Sequence, residues 1–302
     1  MKHILNKLET FLDKNSILID EPMKRHTSFK VGGPVDILLI PKTEKEIKDI
    51  LILLNNENFP FYIMGNGSNL LVSDKGVRGA VIKLSENYSN CEVQDSILNA
   101  QSGILLSELS QIALSNNLGG FEFASGIPGT LGGAVTMNAG AYGGEMKDIL
   151  ISAHVIDKKG NIFEIVNGNL QLGYRTSAIQ VQDLIILSSK VKLSECSNNE
   201  IKEKMDDLEY KRKSKQPLEW PSAGSTFKRP EGYFAGKLIE DSGLRGFQLG
   251  GAQVSQKHCG FIINKDNATA SDVINLIHHV QKVVYENFGV KLDTEVKQLG
   301  EF

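Results

Sequence analysis

The chain has 302 residues, enough for about two domains with packed cores, and its 41% hydrophobic and 23% charged residues exclude an intrinsically disordered chain. Lys and Arg number 33 against 36 Asp and Glu, so a net charge of −3 leaves no global positive field for nucleic acid or an anionic membrane. Any anionic ligand must therefore meet a local site.

Near the N-terminus Ile4, Leu5, Leu8, Phe11 and Leu12 recur at helical spacing. Thr43 with Glu46 forms a capping-box pattern ahead of a second helix that buries Ile47, Ile50, Leu51 and Leu54. Apolar runs at 35–40 and 59–64 flank that helix, an order that reads as a βαβ unit. From Val81 onward the pattern changes to short strands, with turn signals at 94–96 and 158–161 and strands around 153–157 and 184–193, which predicts a largely antiparallel sheet. One helix, about Leu105 to Asn116, interrupts it and is expected to stop at Gly119-Gly120. A charged helical stretch over 199–215 ends in a basic run and Pro217, a composition shift taken as the boundary to a second domain. The clearest helix of that domain starts near Thr269 or Ser271, buries Val273, Ile274, Ile277, Val280, Val283 and Val284, and stops at Gly289.

The opening residues break into charge too early for a signal peptide, and apolar runs such as 50–54 are too short to span a bilayer, so no membrane role is expected. Cys91, Cys196 and Cys259 are odd in number and lack metal-type spacing, which predicts a reducing, cytoplasmic location and no metal site.

Nine of the 29 glycines fall between Gly119 and Gly144. The run Gly126-Ile127-Pro128-Gly129-Thr130-Leu131-Gly132-Gly133-Ala134 is bare enough for a large ligand to press against main chain, and a close-packed glycine turn is the alternative. Gly65-Asn66-Gly67-Ser68-Asn69 follows a predicted strand with residues that tolerate positive φ, so successive N–H groups can turn toward one anion. It is either a phosphate nest or a tight connecting turn; it is not a GxGxxG dinucleotide fingerprint. The loop 221–228 carries Ser225 between a glycine and an aromatic, and no G-x-S-x-G elbow accompanies it, so hydrolase chemistry is poorly supported. Tyr174-Arg175 and the segment 292–296, with Glu295, each read in isolation as an ordinary surface ion.

Taken in order, six blocks resemble the UDP-N-acetylenolpyruvoylglucosamine reductase family of flavoenzymes: 27–34, 65–69, 127–133, 174–175, 223–228 and 292–296. The resemblance implies an α+β fold, with a two-subdomain FAD-binding domain of the vanillyl-alcohol-oxidase type over 1–205 (subdomains about 1–83 and 84–205) and a smaller α/β substrate-binding domain over 206–302. It implies non-covalent FAD held by Thr27, Gly32, Gly33, Gly65, Asn66, Gly67, Ser68, Asn69, Gly126, Ile127, Pro128, Gly129, Gly132, Gly133 and Ala134. NADPH would be the reductant and UDP-N-acetylglucosamine enolpyruvate the substrate, with no nucleic acid, membrane or obligatory protein partner. Arg175, Ser225 and Glu295 would be catalytic, and Tyr174, Lys215 and Lys228 would touch substrate. The short spacing between Arg175 and the following helix leaves no room for the inserted tyrosine loop found in one branch of the family. A flavin oxidase of a hydroxy acid and a non-catalytic nucleotide-sugar sensor are two further readings.

Overall fold

The structure, a computed structural model, describes residues Met1–Phe302. Met1–Ile19, Ile37–Asn66 and Gly79–Arg212 make one compact unit, and Asp20–Asp36, Gly67–Arg78 and Lys213–Phe302 make another, so the chain passes between them five times.

In the first unit, α1 (Lys2–Leu8) is shorter than its apolar spacing predicts. Leu12 is still buried, because a further helix-like turn follows, with the Leu12 N–H on the Leu8 carbonyl at 3.0 Å. Helix α2 (Glu44–Asn56) buries Ile47, Ile50, Leu51 and Leu54 as its pattern requires. The Thr43 hydroxyl accepts the Glu46 N–H at 3.1 Å, but the Glu46 carboxylate takes the N–H of Lys42 at 2.6 Å, so only half of the expected capping box forms. Strands β1 (Ile17–Pro22), β2 (Pro34–Leu39), β3 (Phe61–Met64) and β5 (Val77–Lys83) form a sheet in the order β1-β2-β5-β3. The strand, helix and strand of the predicted βαβ unit are present, but β5 lies between the two strands and pairs in parallel with β3, Phe61 opposite Ala80. Ile4, Leu8, Ile37, Leu51, Leu54 and Ile82 belong to one hydrophobic cluster.

A second cluster in this unit, including Leu98, Leu109, Phe121, Leu131, Val135 and Val191, lies under an antiparallel sheet. Its strands β6 (Cys91–Gln94), β7 (Ile97–Gln101), β11 (Leu150–Ile156), β12 (Ile162–Val166) and β13 (Ile185–Lys192) run in the order β12-β11-β13-β7-β6. Asp95, with φ of 52°, makes the β6–β7 turn where the sequence placed one. Helix α3 (Leu106–Ser115) ends within one residue of the expected Asn116, but its stop is Asn117, left-handed at φ 56°, and Gly119 instead joins β8 (Leu118–Gly119), paired with β14 (Ser194–Glu195). Asparagine can play the part that glycine usually has, because its short polar side chain eases that conformation. The intervening pieces are α4 (Leu131–Thr136), β9 (Gly140–Ala141), β10 (Gly144–Glu145), α5 (Met146–Ile149) and α6 (Ala178–Val181), and the charged stretch forms α7 (Asn198–Lys215).

The second unit has a sheet ordered β15-β18-β17-β16, from β15 (Ser222–Ser225), β16 (Gln248–Leu249), β17 (Ala252–Val254) and β18 (Phe261–Asn264), with α8 (Ala235–Asp241) and α9 (Ala270–Phe288). A complete capping box between Thr269 and Asp272 starts α9, and Gly289, φ 68°, ends it, as read from sequence; Leu276 joins its buried face and Val283 is only partly buried. The early segments are structural members of this unit. Phe29, Val31 and Leu71 sit in its core. Strand β4 (Leu70–Val72) pairs in parallel with β19 (Lys297–Leu299), and the Asp74 carboxylate accepts the N–H groups of Ala270 and Ser271 at 2.7 and 2.8 Å. A contiguous fragment 206–302 lacks those core side chains, a sheet partner and a helix cap. Expressed alone, it is expected to show no cooperative thermal transition by circular dichroism; a sharp transition would refute the need for the early segments.

Candidate functional site

The loop after β3 changes unit between Asn66 and Gly67, and each half is held separately. On the first unit the Asn66 side-chain amide donates to the Pro128 carbonyl at 2.8 Å, and a Cβ on Gly65 would lie 2.2 Å from the Thr130 hydroxyl oxygen. The glycine-rich run is tied down from the other side: Leu106 N–H reaches the Gly129 carbonyl at 3.0 Å, while Leu131 and Gly132 donate to Ile104 and Ser102 at 2.9 and 2.8 Å. Those bonds leave the N–H groups of Gly126, Gly129, Thr130 and Gly133 without a protein acceptor. Gly132 and Gly133 are bare for different reasons. A Cβ on Gly132 would sit 2.7 Å from the Ser102 Cβ, so packing excludes it, whereas a Cβ on Gly133 meets nothing closer than 3.7 Å.

On the second unit, Gly67 takes a φ of 66° and its carbonyl accepts the Ser28 N–H at 3.2 Å. The Asn69 side-chain amide donates to the Glu295 carbonyl at 3.2 Å, and the Asn69 carbonyl accepts the Lys297 N–H at 3.0 Å. From Gly65 to Asn69, five successive main-chain N–H groups donate to no protein acceptor. Ile127 and Ala134 contribute differently, since their N–H groups are already bonded to Ala124 and Thr130. Thr27 directs its hydroxyl to the Val31 carbonyl at 2.9 Å, closing its own loop. Gly32 and Gly33 face Val72 and Asp74, where a Cβ would come within 2.8 and 2.1 Å.

Ser225 and Glu295 are brought together through Thr226. This buried residue donates its N–H to the Gly260 carbonyl at 2.8 Å, accepts the Ile262 N–H on its hydroxyl at 3.1 Å, and accepts the Glu295 N–H on its carbonyl at 2.8 Å. Lys228 N–H then bonds the Asp293 carbonyl at 2.8 Å, so 226–228 and 293–295 run as an antiparallel pair. No motif announces Thr226, which follows β15 by one residue and finds its partners far along the chain. Ser225 and Glu295 are half-buried beside it. Gly224, φ 74°, and a register irregularity between Ser222 and Ser225 bend the strand at the serine.

Arg175 and Tyr174 belong to the first unit. Arg175 holds a left-handed φ of 56°, uncommon for a residue other than glycine, asparagine or aspartate. Gly173 and Thr176 bond each other across the turn, Asn138 donates its amide to the Gly173 carbonyl at 3.1 Å, and Gln180 donates to the Arg175 carbonyl at 3.3 Å. The guanidinium stands 5.2 Å from the Tyr174 ring, and its charge helps hold the Glu145 carboxyl below the usual range, after hydrogen bonding from Lys147. Asn138 and Gln180 are positioning residues that no motif announced. Lys215 is exposed at the end of α7, and Lys228 is half-buried in the Thr226 pair.

Two family models match the chain: an FAD binding domain over residues 35–165, and the C-terminal domain of UDP-N-acetylenolpyruvoylglucosamine reductase over 216–299. A UDP-N-acetylenolpyruvoylglucosamine reductase of Clostridioides difficile is 55% identical over 294 residues, 97% of each chain. One from Caldanaerobacter subterraneus subsp. tengcongensis is 52% identical, covering 99% of this chain and 98% of its own. Among solved structures, the reductase of that name from Thermus caldophilus aligns with a TM-score of 0.81 at 34% identity, over 94% of this chain and 98% of that one. An alkyldihydroxyacetonephosphate synthase aligns over 65% of this chain and 40% of its own at 18% identity and a TM-score of 0.51, which speaks to fold alone. The α+β architecture with a flavin-binding domain of the vanillyl-alcohol-oxidase type is thus borne out.

The residues present fit FAD. A diphosphate is well met by several main-chain donors, and within the first unit the unpaired N–H groups of Gly65, Asn66, Gly126, Gly129, Thr130 and Gly133 supply them. Gly65→Ala would drive a methyl group into Thr130. It is expected to cost about 1–3 kcal/mol of stability and to lower the flavin retained per chain, read by denaturant melts and visible absorbance. Full flavin occupancy with unchanged stability would contradict the packing described.

Proposed function

The chain belongs to the UDP-N-acetylenolpyruvoylglucosamine reductase family, and from that premise we propose that it reduces UDP-N-acetylglucosamine enolpyruvate to UDP-N-acetylmuramate, a precursor of peptidoglycan, with NADPH as reductant. The hydrogen bond from the Glu295 N–H to the Thr226 carbonyl carries the assignment of roles, since it sets Ser225 and Glu295 side by side from separate blocks. FAD, held by main chain of the glycine-rich loops, would supply the redox chemistry that carries a hydride from NADPH to carbon 3 of the enolpyruvyl ether.

Hydride arrival at carbon 3 leaves negative charge at carbon 2, which spreads into the neighbouring carboxylate only if positive charge or a proton donor meets it. Arg175 supplies a fixed cation in a turn that three neighbouring hydrogen-bonding residues hold. Glu295, working through a proton donor, shares that task. Ser225 delivers the proton to carbon 2; a hydroxyl suffices because the carbanionic centre is strongly basic. Asn66, Gly67, Ser68 and Asn69 with Gly126, Gly129 and Gly133 hold the cofactor through main chain, and Tyr174, Lys215 and Lys228 meet the substrate.

In this reading residues 1–205 serve as the FAD-binding domain and 206–302 as the substrate-binding domain. The protein works in the cytoplasm on a small-molecule substrate, without nucleic acid, membrane or obligatory protein partner. No helix is long and apolar enough to cross a membrane. Ser225→Ala is expected to leave the NADPH-driven bleaching of the flavin nearly intact and to slow reoxidation by the enolpyruvyl substrate by about 100-fold or more, measured by stopped-flow absorbance. Equal slowing of both half-reactions would refute the proton-donor role.

A further inference from the structure

Arg212, near the end of α7, is a cation whose charge the protein does not neutralise. It makes no ion pair or hydrogen bond with another residue. Of the two residues one helical turn before it, Leu208 carries no charge and Glu209 makes no ion pair with it. Its side chain lies instead on the glycine-rich run: a Cβ at Gly126 would meet the Arg212 Cδ at 3.0 Å and the guanidinium nitrogen Nη1 at 3.3 Å. Glu122 is the one acid between residues 121 and 144, and it is occupied, bonded to Lys204 at 3.0 Å and to the Gly120 N–H at 2.9 Å.

Removing a guanidinium from water without a counter-ion is unfavourable, and the burial shows in the group itself, whose pKa is pulled below the usual arginine range against a weak opposing effect of the Tyr142 phenol. The same run presents the unpaired N–H groups of Gly126, Gly129, Thr130 and Gly133. Uncommitted donors and an uncompensated cation on one short segment call for a multiply charged anion. We infer that Arg212 is a further FAD-binding residue of this chain, its guanidinium serving as counter-charge to the cofactor's diphosphate. The inference rests on the FAD-binding reading and extends it to α7, which otherwise buries only Ile201 and Met205.

The test is equilibrium binding of FAD to flavin-stripped full-length protein, followed by quenching of flavin fluorescence, alongside redox titration of the reconstituted protein. Arg212→Met is expected to weaken FAD binding about 10- to 100-fold, the range of a charge-assisted hydrogen bond. Arg212→Lys, which keeps the charge and loses the planar fork, should fall between. The midpoint potential should not move, because the diphosphate carries the same charge in both flavin redox states. Unchanged affinity in Arg212→Met overturns the assignment. So does a lowered potential with oxidised-state affinity intact, which would put the guanidinium at the flavin ring. Should Arg212→Met fail to fold, Arg212→Gln carries the same measurement. Failure of the wild-type chain to take up FAD would sink the cofactor reading as well; wild-type uptake with unaltered variants sinks only the role of Arg212.

Discussion

The arrangement of the second unit's polar residues depends on Thr226. Its N–H, carbonyl and hydroxyl each bond a different stretch of backbone, at Gly260, Glu295 and Ile262, and the side chain has no exposed surface. A buried polar group left unpaired costs about 1–3 kcal/mol, so three satisfied groups on one residue make this junction hard to open. The chemistry flanks it without being part of it. Ser225 is half-buried next to the fully buried Thr226, and Glu295 is placed by its main-chain N–H while its carboxyl takes no part in that bond. Side-chain chemistry at 225 and 295 can thus change with little effect on the backbone that positions it.

Bare backbone does two kinds of work in the first unit. Gly65 and Gly132 are small because a methyl group would strike Thr130 or Ser102, so they set how closely the loop after β3 and the start of α4 approach their supports. Gly133 has room for a side chain, and its N–H is uncommitted. A count of glycines merges these two demands; only the atoms around each position separate them. The cluster between Gly119 and Gly144 accordingly reflects close packing as much as ligand access.

Periodic segments were legible in the sequence because their causes are local. Helix α9 shows this, with Thr269, Asp272 and Gly289 carrying both caps and its valines and isoleucines tracing one face. The six blocks were legible as a family pattern, and the flavin fold followed from that. What sequence order concealed was pairing across distance: β5 entering between β2 and β3, β4 pairing with β19, and Phe29, Val31 and Leu71 packing in a core built chiefly by the last ninety residues. Thr226 and Asn138 escaped notice for a related reason, since their importance lies in partners far along the chain. The stop of α3 at Asn117 in place of Gly119 was a local miss, a case where asparagine's tolerance of positive φ outweighed the stronger glycine signal two residues on.

A chain of net charge −3 that handles a dinucleotide and a nucleotide sugar must concentrate its attraction for anions. Main-chain N–H groups do this without adding charge: each carries a partial positive dipole, and exposed ones are satisfied by water before a ligand arrives. The five successive free N–H groups at 65–69 therefore cost the empty protein little, unlike a cluster of lysines, which would repel one another. A full cation is worth adding only where it can be held still and partly dry, because a screened surface charge contributes little at cellular ionic strength. Arg175, fixed in its turn, meets that condition, whereas an exposed residue such as Lys215 attracts at longer range and orients less. Main-chain dipoles with Arg212 for the permanent diphosphate, and Arg175 for charge that develops during reaction, form a consistent division of labour, since only the second must distinguish the transition state from the ground state.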